Sequence, residues 1–255
     1  EGRDVPLMKE KKEADVLYWA GCAGAYDSRG KEISQAVVDV LNEAEVDFAS
    51  LGNEETCTGD SARRIGNEYL FQMQAEQNIE TFKKYGIKKI ITQCPHCLTT
   101  LKNDYAEMGF DLEVIHHSQF ISEQINEGTI KPKKNINDDY TFHDACYVGR
   151  HHGEYDAPRN VLQSVLSDEA KVVEMPRNKD QSFCCGAGGG NMWYEIKKGK
   201  RINIERFEEA VETGVKKVAT SCNFCMIMME DAKKVTGHDK DMEVFDISEI
   251  VANNL

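Results

Sequence analysis

The sequence predicts an α/β protein of two similar halves, each a parallel sheet flanked by helices. Strand-like runs alternate with helical periodicities along the chain, the pattern of a parallel sheet with crossover helices. The order of those runs repeats once. The nine cysteines repeat with it: Cys22, Cys57, Cys94 and Cys97 in the first half answer to Cys146, the pair Cys184-Cys185, Cys222 and Cys225 in the second.

The first strand is Asp15-Val16-Leu17-Tyr18-Trp19, apolar and aromatic, and it runs into Gly21-Cys22. A helix follows over Ile33 to Ala44, where Ile33, Ala36, Val37, Val40 and Leu41 form an i, i+3, i+4 stripe. Glu68 to Tyr85 is a long amphipathic helix. Lys88-Lys89-Ile90-Ile91-Thr92-Gln93 is a strand that delivers Cys94 and Cys97 at its C-terminal end. Thr99 to Met108 reads as a helix, Glu113-Val114-Ile115 as a strand, and Ser118 to Ile125 as a helix. Asn126 to Asp139 is the linker, with Gly128, Pro132, a lysine cluster and paired aspartates. The boundary falls near 131–137, which gives domains 1–130 and 131–255.

The second half repeats these parts. Tyr140-Thr141-Phe142-His143 leads into Cys146, and Lys216-Lys217-Val218-Ala219-Thr220-Ser221 leads into Cys222. Asn160–Leu166, Ile202–Thr213 and Met226–Lys234 are its helices, followed by the strand Glu243-Val244-Phe245 and a helix around Ser248–Val251. Each half is thus Rossmann-like, with its cysteines at strand C-termini, where parallel sheets form their binding crevices.

A lone C-x-x-C is a weak signal. Here each copy closes a longer pattern, and Cys57–Cys94 and Cys185–Cys222 are both separated by 37 positions. Grouped thiolates are soft ligands suited to iron or zinc. Buried structural thiols are the plainer alternative, but none of the nine is left outside the pattern. A chain of 255 residues with 40% hydrophobic content builds a core without disulfide staples, so the cysteines point to metal in a reducing compartment. The net charge of −13 argues against nucleic acid. No stretch approaches the roughly 20 apolar residues of a membrane span, and no signal peptide is visible. The chain opens Glu1-Gly2-Arg3-Asp4 without an initiator Met, which reads as a piece of something longer. Walker and hydrolase signatures are missing, and Gly186-Ala187-Gly188-Gly189-Gly190 lacks the context of a dinucleotide fingerprint.

At His143-Asp144-Ala145-Cys146, Cys184-Cys185-Gly186-Ala187-Gly188-Gly189-Gly190 and Cys57-Thr58-Gly59-Asp60-Ser61-Ala62-Arg63-Arg64, the chain resembles the cysteine-rich, CCG-containing family. That family includes heterodisulfide reductase subunits and membrane-bound Fe–S oxidoreductases. Gly66-Asn67-Glu68-Tyr69-Leu70-Phe71-Gln72 looks most like the bacterial subgroup found beside electron-transfer flavoproteins. The resemblance implies a noncubane [4Fe–4S] cluster on Cys146, Cys184, Cys185, Cys222 and Cys225. It leaves four thiols, Cys22, Cys57, Cys94 and Cys97, for a [4Fe–4S] cluster or zinc. The fifth position of the first motif is Thr58 if the glycines are matched, or Thr56 if the spacing is.

The implied function is an electron-transfer module or reductase core. It passes electrons between an electron-transfer flavoprotein or ferredoxin domain and a quinone or disulfide acceptor, with the flavoprotein–menaquinone route favoured. The implied place is cytoplasmic, at the inner face of the cytoplasmic membrane, with any anchor in a missing N-terminal part or another subunit. A zinc-stabilised scaffold and a thiol–disulfide oxidoreductase are the alternatives. Cys184, Cys185 and His143 are the catalytic candidates; His143 stands where it can hydrogen-bond a cluster sulfur or relay a proton. Gly186, Gly188, Gly189 and Arg150 are the cofactor-binding candidates, since glycine lets backbone N–H groups approach closely. His96 reads as positional, and His116-His117 and His151-His152 as partly structural. Arg63, Arg64, Arg150 and Arg201 offset cluster charge or remain solvated, and Met226, Met228 and Met229 pack a helix core.

Overall fold

A four-stranded, all-parallel sheet forms in each half, as the alternating pattern requires. The structure, a computed structural model, describes residues 5–194 and 198–255. Of the opening Glu1-Gly2-Arg3-Asp4 segment, all four residues lie outside the described ones. The first half runs α1 (Met8–Lys11), β1 (Val16–Trp19), α2 (Gly21–Tyr26), α3 (Ser28–Glu43), β2 (Phe48–Ala49), α4 (Asp60–Arg64) and α5 (Glu68–Tyr85). It continues with β3 (Lys89–Thr92), α6 (Pro95–Thr99), α7 (Tyr105–Glu107), β4 (Glu113–His116) and α8 (His117–Glu127). The second half runs β5 (Tyr140–Phe142), α9 (Gly149–His152), α10 (Asp156–Gln163), β6 (Val172–Glu174), α11 (Ile202–Glu212), β7 (Lys217–Thr220), α12 (Asn223–Val235), β8 (Glu243–Asp246) and α13 (Ile247–Ala252).

The strand orders are β2-β1-β3-β4 and β6-β5-β7-β8, so the topologies are identical. The register repeats too: Lys89 lies opposite Glu113 as Lys217 lies opposite Glu243. Inner strands are buried almost throughout, as expected of sheets covered on both faces.

Three local features differ from the sequence expectation. The edge strands β2 and β6 had no visible signal, because two or three residues are too short for a period to register. Helices α6 and α12 start directly after Cys94 and Cys222 rather than beyond the C-x-x-C. Pro95 pre-sets the first helical position of α6. Cys222 caps α12, its Sγ accepting from the Cys225 N–H at 3.5 Å. Cys97 and Cys225 therefore ride in first helical turns. Finally, α10 begins at Asp156, before the predicted Asn160.

The halves interlock reciprocally. α13 of the second half packs on α3 of the first, and α8 of the first packs on α10 of the second. One apolar cluster runs through this seam, taking Ile33, Val37 and Leu41 together with Val161, Leu162, Ile247 and Val251. Arg29 crosses it with a bidentate pair to Glu249 at 2.7 and 2.9 Å. His117 crosses it to Asp246 at 2.9 Å, fully buried.

Candidate metal centres

The fold gathers the nine thiols into two sets at the strand C-termini. In the first, Cys22 sits at the start of α2, Cys57 just before α4, and Cys94 and Cys97 at the start of α6. Cys22 faces Cys57 and Cys97 faces Cys94, all four within one another's field. In the second, Cys146 faces Cys184, Cys184 faces Cys185, and Cys185 lies 3.3 Å from Cys225, sulfur to sulfur. Cys222 completes the set beside Cys225. All nine are free thiols; Cys94, Cys97, Cys185, Cys222 and Cys225 are buried, and Cys22 is exposed.

Crowding makes each set a poor home for protons and a good one for a cation. The hydrogen bond from Cys22 holds Cys57 down at about 6. Cys184 falls well below the usual thiol range because Cys146 and then Cys185 donate to it. Their neighbours move the opposite way: hydrogen bonds with adjacent sulfurs, and then burial, push Cys22 (by Cys57), Cys97 (by Cys94), Cys146 and Cys185 (by Cys184) and Cys225 (by Cys185) up. Full ionisation needs positive charge among the sulfurs, which a metal supplies. The backbone is shaped for this as well. Gly21 has φ +74°, and a Cβ there would sit 3.2 Å from Cys97 Sγ, inside the set.

The backbone also decides between Thr56 and Thr58. Gly59 and Gly186 share φ +91°, and each donates its N–H to the sulfur two residues earlier: Cys57 at 3.4 Å and Cys184 at 3.2 Å. Thr58 Oγ1 lies 3.9 Å from Cys97, where Cys185 lies against Cys225. Thr58 therefore occupies the position of Cys185. Thr56 instead donates from its hydroxyl to Asn78 at 2.9 Å.

His143 is buried, and one of its ring nitrogens, with Cys185 and Cys225 Sγ, forms a group whose atoms lie within 4.8 Å of one another. Gly186 packs against Ile202, while Gly188 has open space around it and Gly189, at φ +66°, is exposed. Arg150 does not reach the sulfurs; it donates to the Ser182 carbonyl at 2.6 Å and so braces the approach to Cys184. Arg63 and Arg64 are committed to ion pairs with Asp104, Glu107 and Asp60, and Arg201 to Asp231. His152 meets Thr99 at 2.9 Å, His151 stacks on Tyr147, and Met226, Met228 and Met229 are core residues.

The two sets meet across the seam. His96 and Phe224 hold the same place in their C-x-x-C turns and touch edge to face at 5.0 Å. Tyr147, next to Cys146, stacks on His96 at 4.2 Å, and Asp60 anchors His96 Nδ1 at 2.9 Å. Clefts of about 510 and 590 Å³ open on Cys57 from two sides, the first between Ile65, Leu70, Trp193 and Tyr194, the second between Cys22, Tyr26 and Glu55. Sequence reasoning missed Arg206, Trp19 and Glu55. Glu55 is raised to about 7 by burial while accepting from the Gly21 N–H at 2.7 Å. Trp19 carried a signal: like His143, it stands three residues before the first cysteine of its set.

The chain is similar to known proteins over nearly its whole length. The chain is 44% identical over 252 residues to an EtfAB:quinone oxidoreductase of Syntrophomonas wolfei, covering 96% of this chain and 35% of that protein. It is 39% identical over 249 residues to a probable iron-sulfur-binding oxidoreductase, FadF, of Bacillus subtilis, covering 98% and 35%. A dihydromethanophenazine:CoB–CoM heterodisulfide reductase of Methanosarcina barkeri contributes a third relative, one of its subunits, 35% identical over 261 residues and covering 98% and 61%. The chain thus spans about a third of the first two relatives. The CCG cysteine-rich domain matches twice, at residues 16–102 and 140–230, and each match holds one thiol set: this chain belongs to the CCG cysteine-rich domain family.

Proposed function

We propose that the chain is the iron–sulfur electron-transfer module of a larger oxidoreductase. The observation that carries this reading is the pair of thiol sets brought together across one seam, His96 against Phe224, at the strand ends of a doubled sheet. Cys146, Cys184, Cys185, Cys222 and Cys225 would hold a noncubane [4Fe–4S] cluster. Cys22, Cys57, Cys94 and Cys97 would hold a [4Fe–4S] cluster or zinc. A bound cluster supplies one-electron transfer. The protein's own residues hold it, exclude water through the shared apolar core, and brace the Cys184-Cys185 turn through Arg150.

The relatives' names suggest the route. An electron-transfer flavoprotein or ferredoxin domain would be the donor, and a quinone the acceptor, ahead of a disulfide. A relative in Chromohalobacter salexigens is named a probable membrane-anchored ferredoxin, 39% identical over 254 residues, covering 98% of this chain and 37% of that protein. Among the described residues, no helix is long and apolar enough to cross a membrane. An anchor would therefore come from another part or another subunit, and hold the module at the inner face of the cytoplasmic membrane. Cys184 and Cys185, with His143 beside them, would form the reactive edge, with Gly186, Gly188 and Gly189 letting a partner or substrate come close.

A zinc scaffold finds support in the grouping of His143 with Cys185 and Cys225. Five thiols exceed what tetrahedral zinc uses, which favours iron. The test is iron, zinc and acid-labile sulfide per chain, on protein purified without oxygen. About eight iron and eight sulfide support two four-iron clusters. About four iron with one zinc leave a single redox site, in the second half. Zinc alone overturns the proposal.

A further inference from the structure

We infer, on the reading of both thiol sets as metal centres, that each is served by one buried ring N–H, from Trp19 in the first half and His143 in the second, and that Arg206 is the positioning residue that makes His143 a donor. Trp19 ends β1, and His143 directly follows β5, the same strand of the other sheet. Both side chains are buried, at 0% and 1% exposure. Each has one ring nitrogen with no protein partner: Trp19 Nε1 and His143 Nε2. An orphan of this kind is costly in a protein interior, and here the same position carries it in both halves.

Both rings stand beside their thiol sets. A Cβ on Gly21 would lie 3.9 Å from Trp19 Nε1 and 3.2 Å from Cys97 Sγ, so the two atoms line one small space. On the other side, Arg206 takes His143 Nδ1, donating from Nε at 2.9 Å. That leaves Nε2 as the unpartnered nitrogen of a ring grouped with Cys185 and Cys225. A guanidinium cannot accept a hydrogen bond, so Nδ1 carries the lone pair and Nε2 carries the proton. Arg206 is itself fully buried and fixed by the Arg177 carbonyl at 2.8 Å, Ser182 Oγ at 3.3 Å and Glu209. Binding a metal through Nε2 would require an imidazolate, so His143 is a donor to sulfur and not a ligand. Indole is a donor only, and it fills the same role in the first half. N–H donors to cluster sulfur stabilise the reduced form and raise the potential.

The experiment is a potentiometric titration followed by electron paramagnetic resonance on metal-loaded protein, with iron counted in every sample. Trp19→Phe should lower the midpoint of the first cluster alone. His143→Leu should lower that of the second alone. The expected loss is about tenfold in the reduction equilibrium, or ~59 mV for one electron. His143→Gln should keep the second midpoint, because its amide oxygen can accept from Arg206 while its N–H still donates. Arg206→Met should lower the second midpoint without loss of iron. Unchanged midpoints with full iron overturn the inference. Loss of metal from His143→Leu with Trp19→Phe intact makes His143 a ligand, and also overturns it. If the first set carries zinc, cobalt in its place reads the same contact: Trp19→Phe should shift the thiolate-to-cobalt band, and an unmoved band refutes the donor. If His143→Leu does not fold, 15N-histidine protein supplies the answer by electron–nuclear double resonance. A ring-nitrogen coupling to the second cluster supports the bond, and none refutes it. A parent protein without iron would instead sink the cluster reading itself.

Discussion

At the scale of single residues, the halves part company at Thr58. Its backbone position is that of Cys185, and its hydroxyl lies against Cys97 as Cys185 lies against Cys225. Thr58→Cys should therefore give the first set a fifth thiol, and change its absorption and magnetic spectra toward those of the second. Thr56→Cys should change neither, since Thr56 is turned to Asn78. If Thr56→Cys alone moves the spectrum, the alignment is wrong. In the other half, Cys185→Ser should abolish the second cluster's signal and leave the first; an unchanged spectrum would defeat the five-thiol assignment. The sequence could not separate the two threonines, because the 37-position spacing and the CCG glycine point to different residues. The φ of +91° shared by Gly59 and Gly186 separates them. Arg206 was illegible for another reason: it lies 63 positions from His143, and only folding brings them together.

At the scale of elements, the cysteine-bearing strands and long helices were legible because each is long enough to show a period or an apolar run. β2 and β6 were not, since their register comes from the neighbouring strand rather than from their own residues. The starts of α6 and α12 were misplaced because a C-x-x-C reads as a loop, whereas here Pro95 and the Cys222 sulfur open the helices. The α2 start makes a sharper demand. Gly21 is left-handed, and its Cα faces Cys97. Gly21→Ala forces an L-residue into that region, at about 1–2 kcal/mol, and drives a methyl toward the sulfur. The expected result is a modestly lower melting temperature and loss of metal from the first set, with the second retained. Full metal in both sets would show that Cys97 can yield, and that the first set is looser than its geometry implies.

At the scale of the molecule, the doubled motif suggests two domains, 1–130 and 131–255, and helices of each pack against the other. α8 lies on α10 and α13 on α3, so each half covers the apolar face of the other. The thiol sets share a second core in the same way, with Cys94 and Cys97 in one apolar cluster with Cys185, Cys222 and Cys225. We propose that the repeats fold as a single cooperative unit. The seam's polar links make this testable. Arg29 is bonded to both Glu249 oxygens and reaches the Val244 carbonyl at 3.3 Å, while burial already pushes Glu249 toward its protonated form. Arg29→Met strands that carboxylate in a largely covered site. The expected cost is roughly 1–3 kcal/mol, seen as one melting transition moved to lower temperature. Removing both metals by anaerobic chelation should likewise shift one transition rather than split it. Two separated transitions in either experiment would mean that the halves fold independently, and that the reciprocal helices only dock two finished domains.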